Sequence, residues 1–418
     1  MKLAPGTPLS ASLVFETDSP PIPTARLAMA DGLAQLEWSR EVIAARLDVS
    51  ALLYPPDPGL LAARGRDFEG LHGFLADSLP EGWGYVVMRK RLAGLGVRIE
   101  ELNPLDRLAL VGDQGRGALT YAPATTPAAA DEALDLDTLA TESAAILAGN
   151  DSALIEVLAR LAGGSGGARP KVHVGFDAEG AISVSAGETA AGHDAWIVKF
   201  PAVNDPQDIG PIEAAYADMA AAAGLTLSEH RLLETASGPP CFATRRFDRP
   251  APGRRLHMVS LCGAIEARSD RPSASYDTFL RATLRITRHA DDVAAAFRRM
   301  VFNVLACNRD DHTRQHAFLM NADGEWRLAP AYDLTFSIGP GGEHYLAIDG
   351  EGRNPTRDHV MRLGKLHGLT TATINEILEQ NADAVAGWSG FASGAGVGES
   401  SRREVLHGLE RVRNAFAA

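Results

Sequence analysis

From residue 291 to 333 the chain reads DDVAAAFRRMVFNVLACNRDDHTRQHAFLMNADGEWRLAPAYD. Its first part sets Val293, Phe297, Met300, Val301, Val304 and Leu305 on one face of a helix, with Asp291 or Asp292 as cap. That apolar stripe ends in a loop crowded with acids, arginines and histidines. Such a loop hangs from the end of a buried helix, so packing fixes its position. HAFLM and WRLAP then read as short strands joined by Asn321–Glu325, with Asp323-Gly324 supplying the turn. The hairpin is expected to bring Asp333 beside the loop that holds Asp310 and Gln315.

Two acids and an amide converging on one point suit phosphoryl transfer. One carboxylate accepts the proton of an attacking hydroxyl, while a second binds Mg²⁺ together with an amide oxygen five residues after the base. Gln315 stands five residues after Asp310. Magnesium takes a few hard oxygens from protein and completes its shell with water and phosphate. Taken alone, the segment also fits a solvated, salt-bridged loop in which His312 and His316 make ordinary hydrogen bonds.

Three further signals precede it in chain order. GGSGGARPKVHVGF, residues 163–176, is a glycine-rich loop leading into an alternating strand. Glycines let backbone N–H groups approach phosphates, and Arg169 and Lys171 add positive charge. It lacks the GxxxxGK[ST] pattern of a Walker A loop. AWIVKF puts Lys199 near the end of an apolar strand, where a lysine can also simply snorkel. A helix expected from Pro211 carries Glu213 in its first turn; a strand lysine paired with a helix glutamate holds a kinase lysine on the α- and β-phosphates.

The surrounding chain sets the frame. At 418 residues it is expected to form two or three domains or lobes. LSASLVFE, TARLAMADGLAQLEWS and VIAARLDVSALLY alternate like strands, with a hairpin turn at Ala30-Asp31-Gly32. Residues 67–96 switch to helical spacing, and ALVGDQGRGALTYAP looks like a strand approach with a glycine turn. A Pro/Ala/Thr linker that turns helical follows, and a β-containing lobe then gives way to a helical one. That order suits a site in a cleft. The glycine-rich stretch 337–355, after Asp333, is expected to be mobile and to order on a protein substrate. Three widely spaced cysteines without CxxC argue for a reducing cytoplasm rather than a disulfide framework. No signal peptide or membrane span is read, and a net charge of −13 speaks against autonomous DNA binding.

Over nearly its whole length the chain resembles the HipA family, the kinase toxins of bacterial toxin–antitoxin pairs. FEGLHGFLADSLPEGWG and LALVGDQGRGAL are similar to the family's N-terminal domain, GGARPK to its phosphate loop, RRFDR to its hinge, and DDHTRQ and AYDL to its catalytic and metal segments. The resemblance implies an α+β fold. A protein-kinase-like two-lobed domain, with a mixed α/β small lobe and an all-α large lobe, follows an N-terminal β-rich subdomain. The boundaries expected are 1–124, a linker and helix at 125–150, the small lobe at 151–249 and the large lobe at 250–418.

By resemblance Asp310 is the catalytic base and Lys199, supported by Glu213, the ATP-phosphate lysine. Gln315 and Asp333 take the metal positions, and Arg245, Arg246 and Phe247 line the adenine pocket. Gly166, Gly167, Ala168, Arg169, Pro170 and Lys171 contact phosphates, while His312, Thr313, Arg314 and Tyr332 complete the nucleotide site. Some members inactivate themselves by phosphorylating a serine at the glycine loop, and Ser165 stands near that position. The family normally has Asn where Gln315 stands.

The function implied is a Mg-ATP-dependent serine/threonine protein kinase of toxin type. Its partners would be a protein substrate and a DNA-binding helix-turn-helix antitoxin, with translation components such as aminoacyl-tRNA synthetases as targets by analogy. Two alternatives stay open. One is a small-molecule or lipid kinase, disfavoured by the lack of a basic membrane-facing run. The other is a nucleotide-binding pseudokinase acting through the antitoxin.

Overall fold

The computed structural model describes residues 3, 7–125, 135–163, 166–180, 182–183, 192–236 and 238–417. Ser165 lies outside the described residues. The chain forms two compact units. The first takes in Met1–Asp205, Glu234–Val259 and Leu319–Glu325; the second takes in Pro206–Leu233, Ser260–Phe318 and Trp326–Ala418.

The first unit is rich in strands. Near its N-terminus a five-stranded antiparallel sheet runs in the order Leu60–Ala62, Leu33–Trp38, Ile22–Ala30, Leu9–Leu13, Leu119–Ala122. The Asp31-Gly32 turn joins two of these strands with both residues at positive φ, the geometry that matches strand twist. VIAARLDVSALLY, expected as a strand, is instead a helix, Arg40–Ala45, followed by turns. Ser39 explains the change: its hydroxyl accepts from the Val42 N–H at 3.1 Å and caps the helix before a strand can continue. ALV at 109–111 is likewise the end of helix Pro104–Val111, which opens on an Asn103/Asp106 capping box. The strand comes only at Leu119–Ala122. Further on, Ile182–Ser183, Lys171–Phe176, Asp194–Lys199 and Cys241–Arg245 lie side by side as antiparallel strands of a second sheet.

The second unit is helical apart from short strands. Helices Ile209–Ala222, Ala290–Leu305 and Trp388–Gly394 meet at a buried aromatic cluster, where the ring centroid of Tyr216 lies 5.3 Å from Trp388 and 6.4 Å from Phe302. The apolar stripe Val293, Phe297, Met300, Val301, Val304 and Leu305 is buried as expected. The cap differs. His289 stands at the helix start, and Asp292 instead accepts from Arg327 Nε at 2.9 Å and from the Leu328 N–H at 3.2 Å. An acid in the first turn can satisfy a neighbouring guanidinium as well as its own helix end, and the guanidinium gives a charge-assisted bond. Glu213 is buried beyond the first turn, because its helix starts two residues before Pro211.

Residues 337–355 are tied down rather than loose. The Ser337 N–H donates to the Cys307 carbonyl at 2.9 Å, the Arg309 N–H donates to the Ser337 carbonyl at 3.0 Å, and Leu346–Ala347 pairs in parallel with Ala274–Ser275. Leu346 and Ile348 are fully buried, and this apolar content holds a glycine-rich stretch in place.

Gly364 sets how closely three helices approach. A Cβ there would meet Ile374 Cδ1 at 2.7 Å and Phe297 Cζ at 2.9 Å. Alanine is the better helix former by about 1 kcal/mol, but overpacking a filled core costs roughly 1–3 kcal/mol. Gly364→Ala should therefore lower the urea midpoint of unfolding. A raised midpoint would show that propensity outweighs the clash.

Candidate active site

The segment that follows helix Ala290–Leu305 leaves it through Cys307, which holds a left-handed backbone at φ 50°. A non-glycine residue there is strained unless its surroundings enforce it. Asn308 is part of that enforcement: its Nδ2 donates to Asn303 Oδ1 at 2.9 Å, and Asn303 Nδ2 donates to the Tyr276 hydroxyl at 2.9 Å. Tyr276 in turn donates to Asp311 Oδ2 at 2.7 Å. His344 Nδ1 donates to the same oxygen at 2.8 Å, and the Tyr345 N–H donates to Asp311 Oδ1 at 2.8 Å.

Asp311 is thus fully buried and bonded from three sides. Burial raises its carboxyl, but His344 and the Tyr276 bond outweigh it and leave the group below the usual carboxylate range. Burial and the Asp311 charge push the Tyr276 phenol well up, so it keeps the proton it donates. Of the doublet Asp310-Asp311, the second residue is the structural root. Asp310 is the one left half exposed, with His312 Nε2 3.7 Å from its Oδ1.

Thr313–Gln315 form one turn of 3-10 helix, capped by His312, whose Nδ1 accepts from the Arg314 N–H at 3.3 Å. The Tyr332 hydroxyl donates to the Arg314 carbonyl at 2.5 Å. Gln315 and Asp333 each follow one residue after these bonded partners, so the two segments expected to converge do meet. Asp333 holds a left-handed backbone at φ 53°. His316 is buried with its ring centroid 4.1 Å from that of Phe279; burial and the Arg299 charge lower it to about 3, so it is neutral. No group of three or more His, Cys, Asp or Glu gathers as a metal cluster among the described residues. One carboxylate and one amide oxygen nonetheless fit magnesium, which takes the rest of its shell from phosphate and water.

The other sequence-derived residues belong to the strand-rich unit, except Glu213, which lies in the helical one. In the glycine loop Gly167 is at φ 80°, with Gly167 and Ala168 exposed and Pro170 buried. Lys171 folds back so that its Nζ donates to the Gly166 carbonyl at 2.6 Å, bracing the loop from within. Arg169 pairs with Asp205 at 2.8 Å. Lys199 ends its strand with Nζ 5.4 Å from the Phe242 ring centre. Arg245 pairs with Asp194 at 2.7 Å, and Phe247 is half-buried.

The N-terminal segment grips both loop and hinge. The Trp83 N–H donates to the Gly167 carbonyl at 2.8 Å, and its indole N–H donates to the Lys171 carbonyl at 3.0 Å. A Cβ on Gly82 would lie 2.1 Å from that same Gly167 oxygen, so only glycine allows this approach. At the hinge, Arg246 is committed to Asp248 through two bonds of 3.0 and 2.8 Å, and its Nη1 donates to His173 Nδ1 at 3.1 Å. Asp248 also accepts from Arg249 at 2.9 Å and from the Gly117 N–H at 2.8 Å. Burial opposes ionisation of Asp248, but the two guanidiniums hold it far below the carboxylate range.

Trp83, Asp248, Tyr276, Asp311 and His344 were not among the residues read from sequence. The doublet at 310–311 and the RRFDR run, which sets Asp248 between its two arginines, were the local hints; the partners of Trp83, Tyr276 and His344 lie far along the chain. Removing one charge from a buried, paired cluster costs about 3–5 kcal/mol. Asp248→Asn should therefore lower the stability of the strand-rich unit by an amount in that range in urea unfolding. A change of only a few tenths would mean the arginines find other partners.

Sequence and fold comparisons agree on the kinship. The profile of the HipA-like C-terminal domain matches residues 163–388, and that of the HipA N-terminal domain matches residues 22–122. A solved structure of the Shewanella oneidensis HipA–HipB toxin–antitoxin complex with operator DNA is similar in fold. It has a TM-score of 0.67 at 16% identity, covering 97% of this chain and 99% of that one. A curated Haemophilus influenzae protein that carries a kinase name is 29% identical over 108 residues. That match spans 24% of this chain and only 31% of the relative's length. The α+β, protein-kinase-like architecture expected from sequence, with a strand-rich and a helical unit, is the one found. With one profile covering more than half of its length, the chain belongs to the HipA family.

Proposed function

We propose that this chain is a Mg-ATP-dependent serine/threonine protein kinase of the HipA toxin type, working with a DNA-binding antitoxin. The observation that carries the reading is the half-exposed Asp310 beside the fully bonded Asp311, on a loop tied through Arg314 to the segment of Asp333. Asp310 accepts the proton of a substrate hydroxyl, while Lys199 and the loop 166–171 take the nucleotide phosphates. Gln315 and Asp333 hold magnesium, which when bound neutralises charge on the transferring phosphate. The antitoxin partner is inferred from the Shewanella oneidensis protein, which was solved with HipB and operator DNA. The substrate is taken to be a cytoplasmic protein.

Mg-ATP at about 100 times its Kd should stabilise the native chain by roughly 2.7 kcal/mol, seen as a raised thermal midpoint. Lys199→Ala should shrink that shift. Asp310→Asn should keep the shift and cut transfer of labelled phosphate to lysate proteins by about 10²–10⁴-fold, the range for a lost general base. No shift in the wild type, or transfer undiminished by Asp310→Asn, sinks the assignment.

One residue favours a second reading. Gln315 adds a methylene to the metal amide, and magnesium tolerates little distortion of its octahedron whereas manganese accepts looser geometry. Gln315→Asn should therefore raise the transfer rate in Mg²⁺ and narrow any advantage of Mn²⁺. If neither variant transfers phosphate in either metal, the chain acts as a nucleotide-binding pseudokinase.

A further inference from the structure

A cavity of about 260 Å³ opens in the helical unit next to the segment that carries Asp310, and no residue lining it has a nucleotide or metal role above. Arg309, Arg353, Arg411, His344 and Asn354 supply its polar groups, and no carboxylate lines it. In a chain of net charge −13 that is an unusual local balance.

Two of these groups have unmet hydrogen-bonding capacity. Arg309 Nη1 donates to the Gly342 carbonyl, but its Nε is buried and has no partner. His344 is 3% exposed; its Nδ1 is committed to Asp311, while its Nε2 is buried and has no partner. A buried polar nitrogen left unpaired costs about 1–3 kcal/mol, so each such group calls for a ligand or a reason. Arg411 lies close by: burial raises the Cys307 thiol, and the charges of Arg309 and Arg411 together pull it down. Arg353 stands at the exposed rim, where it pairs with Glu343 at 2.8 Å.

We propose that this cavity binds a phosphoryl group. Three guanidiniums surround one space, and planar forks match the oxygens of a tetrahedral phosphoryl anion pairwise, while the bare Nε2 of His344 can accept from a protonated phosphoryl oxygen. A carboxylate would offer only two oxygens to the three guanidiniums, and no proton to His344 Nε2. The site also touches the root of the loop on both sides. Arg309 immediately precedes Asp310, and His344 shares a hydrogen bond with Asp311. Phosphate held here therefore sets the loop's order, a link that rests on the kinase reading; the binding itself does not.

Calorimetric titration of the full chain with inorganic phosphate, and separately with N-acetyl-O-phosphoserine amide, reads the site directly. Arg353→Ala and Arg411→Ala should each weaken binding by about tenfold, the equivalent of roughly 1.4 kcal/mol for one lost charge-assisted contact. Arg411→Lys, which keeps the charge but not the fork, should lose less. A wild type that takes up neither probe at tens of millimolar, or alanine variants that bind like wild type, overturns the proposal. Equal affinity for both probes identifies free phosphate as the ligand, and tighter binding of the phosphoserine amide identifies a phosphorylated side chain. The titration needs neither nucleotide nor turnover. A chain that binds phosphate here yet transfers none from ATP keeps this site and loses the kinase reading.

Discussion

The buried carboxylate of Asp311 is the point on which the helical unit's loop depends. An ionised acid at full burial is expensive unless several donors surround it. Here a phenol, an imidazole and a backbone N–H do so, from helix Tyr276–Thr287 and from residues 344–345. Because the donors come from two other stretches of chain, the carboxylate fixes three segments, its own included, in one arrangement. The strained backbone at Cys307 is tolerable for that reason. Asp310, one residue away, stays half exposed on a loop whose direction its buried neighbour sets.

A comparable device operates in the strand-rich unit, with the charges reversed in number. One carboxylate, Asp248, serves two arginines, and the remaining donors and acceptors come from the backbone around Gly115 and Gly117. Trp83 adds two bonds to the glycine loop. Loops that need conformational freedom in isolation are here given a single shape by neighbours remote in sequence. The internal bond from Lys171 to Gly166 completes that shape.

Much of this is legible in the sequence. Helix Ala290–Leu305 announced itself because six apolar residues repeat at the helical period, and the turn at 31–32 because Asp-Gly favours positive φ. The short loop from Asp310 to Gln315 kept its local spacing, so the chemistry it suits could be read from a few letters. Failures came where a single polar contact overrode a pattern. Ser39 turned an alternating stretch into a helix, and Asp292 preferred a guanidinium to its own helix end. Buried apolar residues at 346 and 348 pinned a glycine-rich stretch whose composition suggested mobility. The partners of Asp311 and Trp83, and the Gly117 N–H that completes Asp248, left no trace in sequence, because contacts made 33 to 131 residues away have no period.

The Asp248 cluster has a bearing on how the chain can be divided. Its carboxylate and both arginines fall within the C-terminal family domain, but the Gly115 and Gly117 groups that complete it belong to the N-terminal one. Cutting between the two domains would take the Gly117 N–H from the buried Asp248 carboxylate and the Gly115 and Gly117 carbonyls from the buried Arg249 guanidinium. The two family domains are therefore not interchangeable cassettes. A chimera that joins this C-terminal portion to another N-terminal portion must carry the glycine pair at 115 and 117, together with Gly82 and Trp83, as one inherited block.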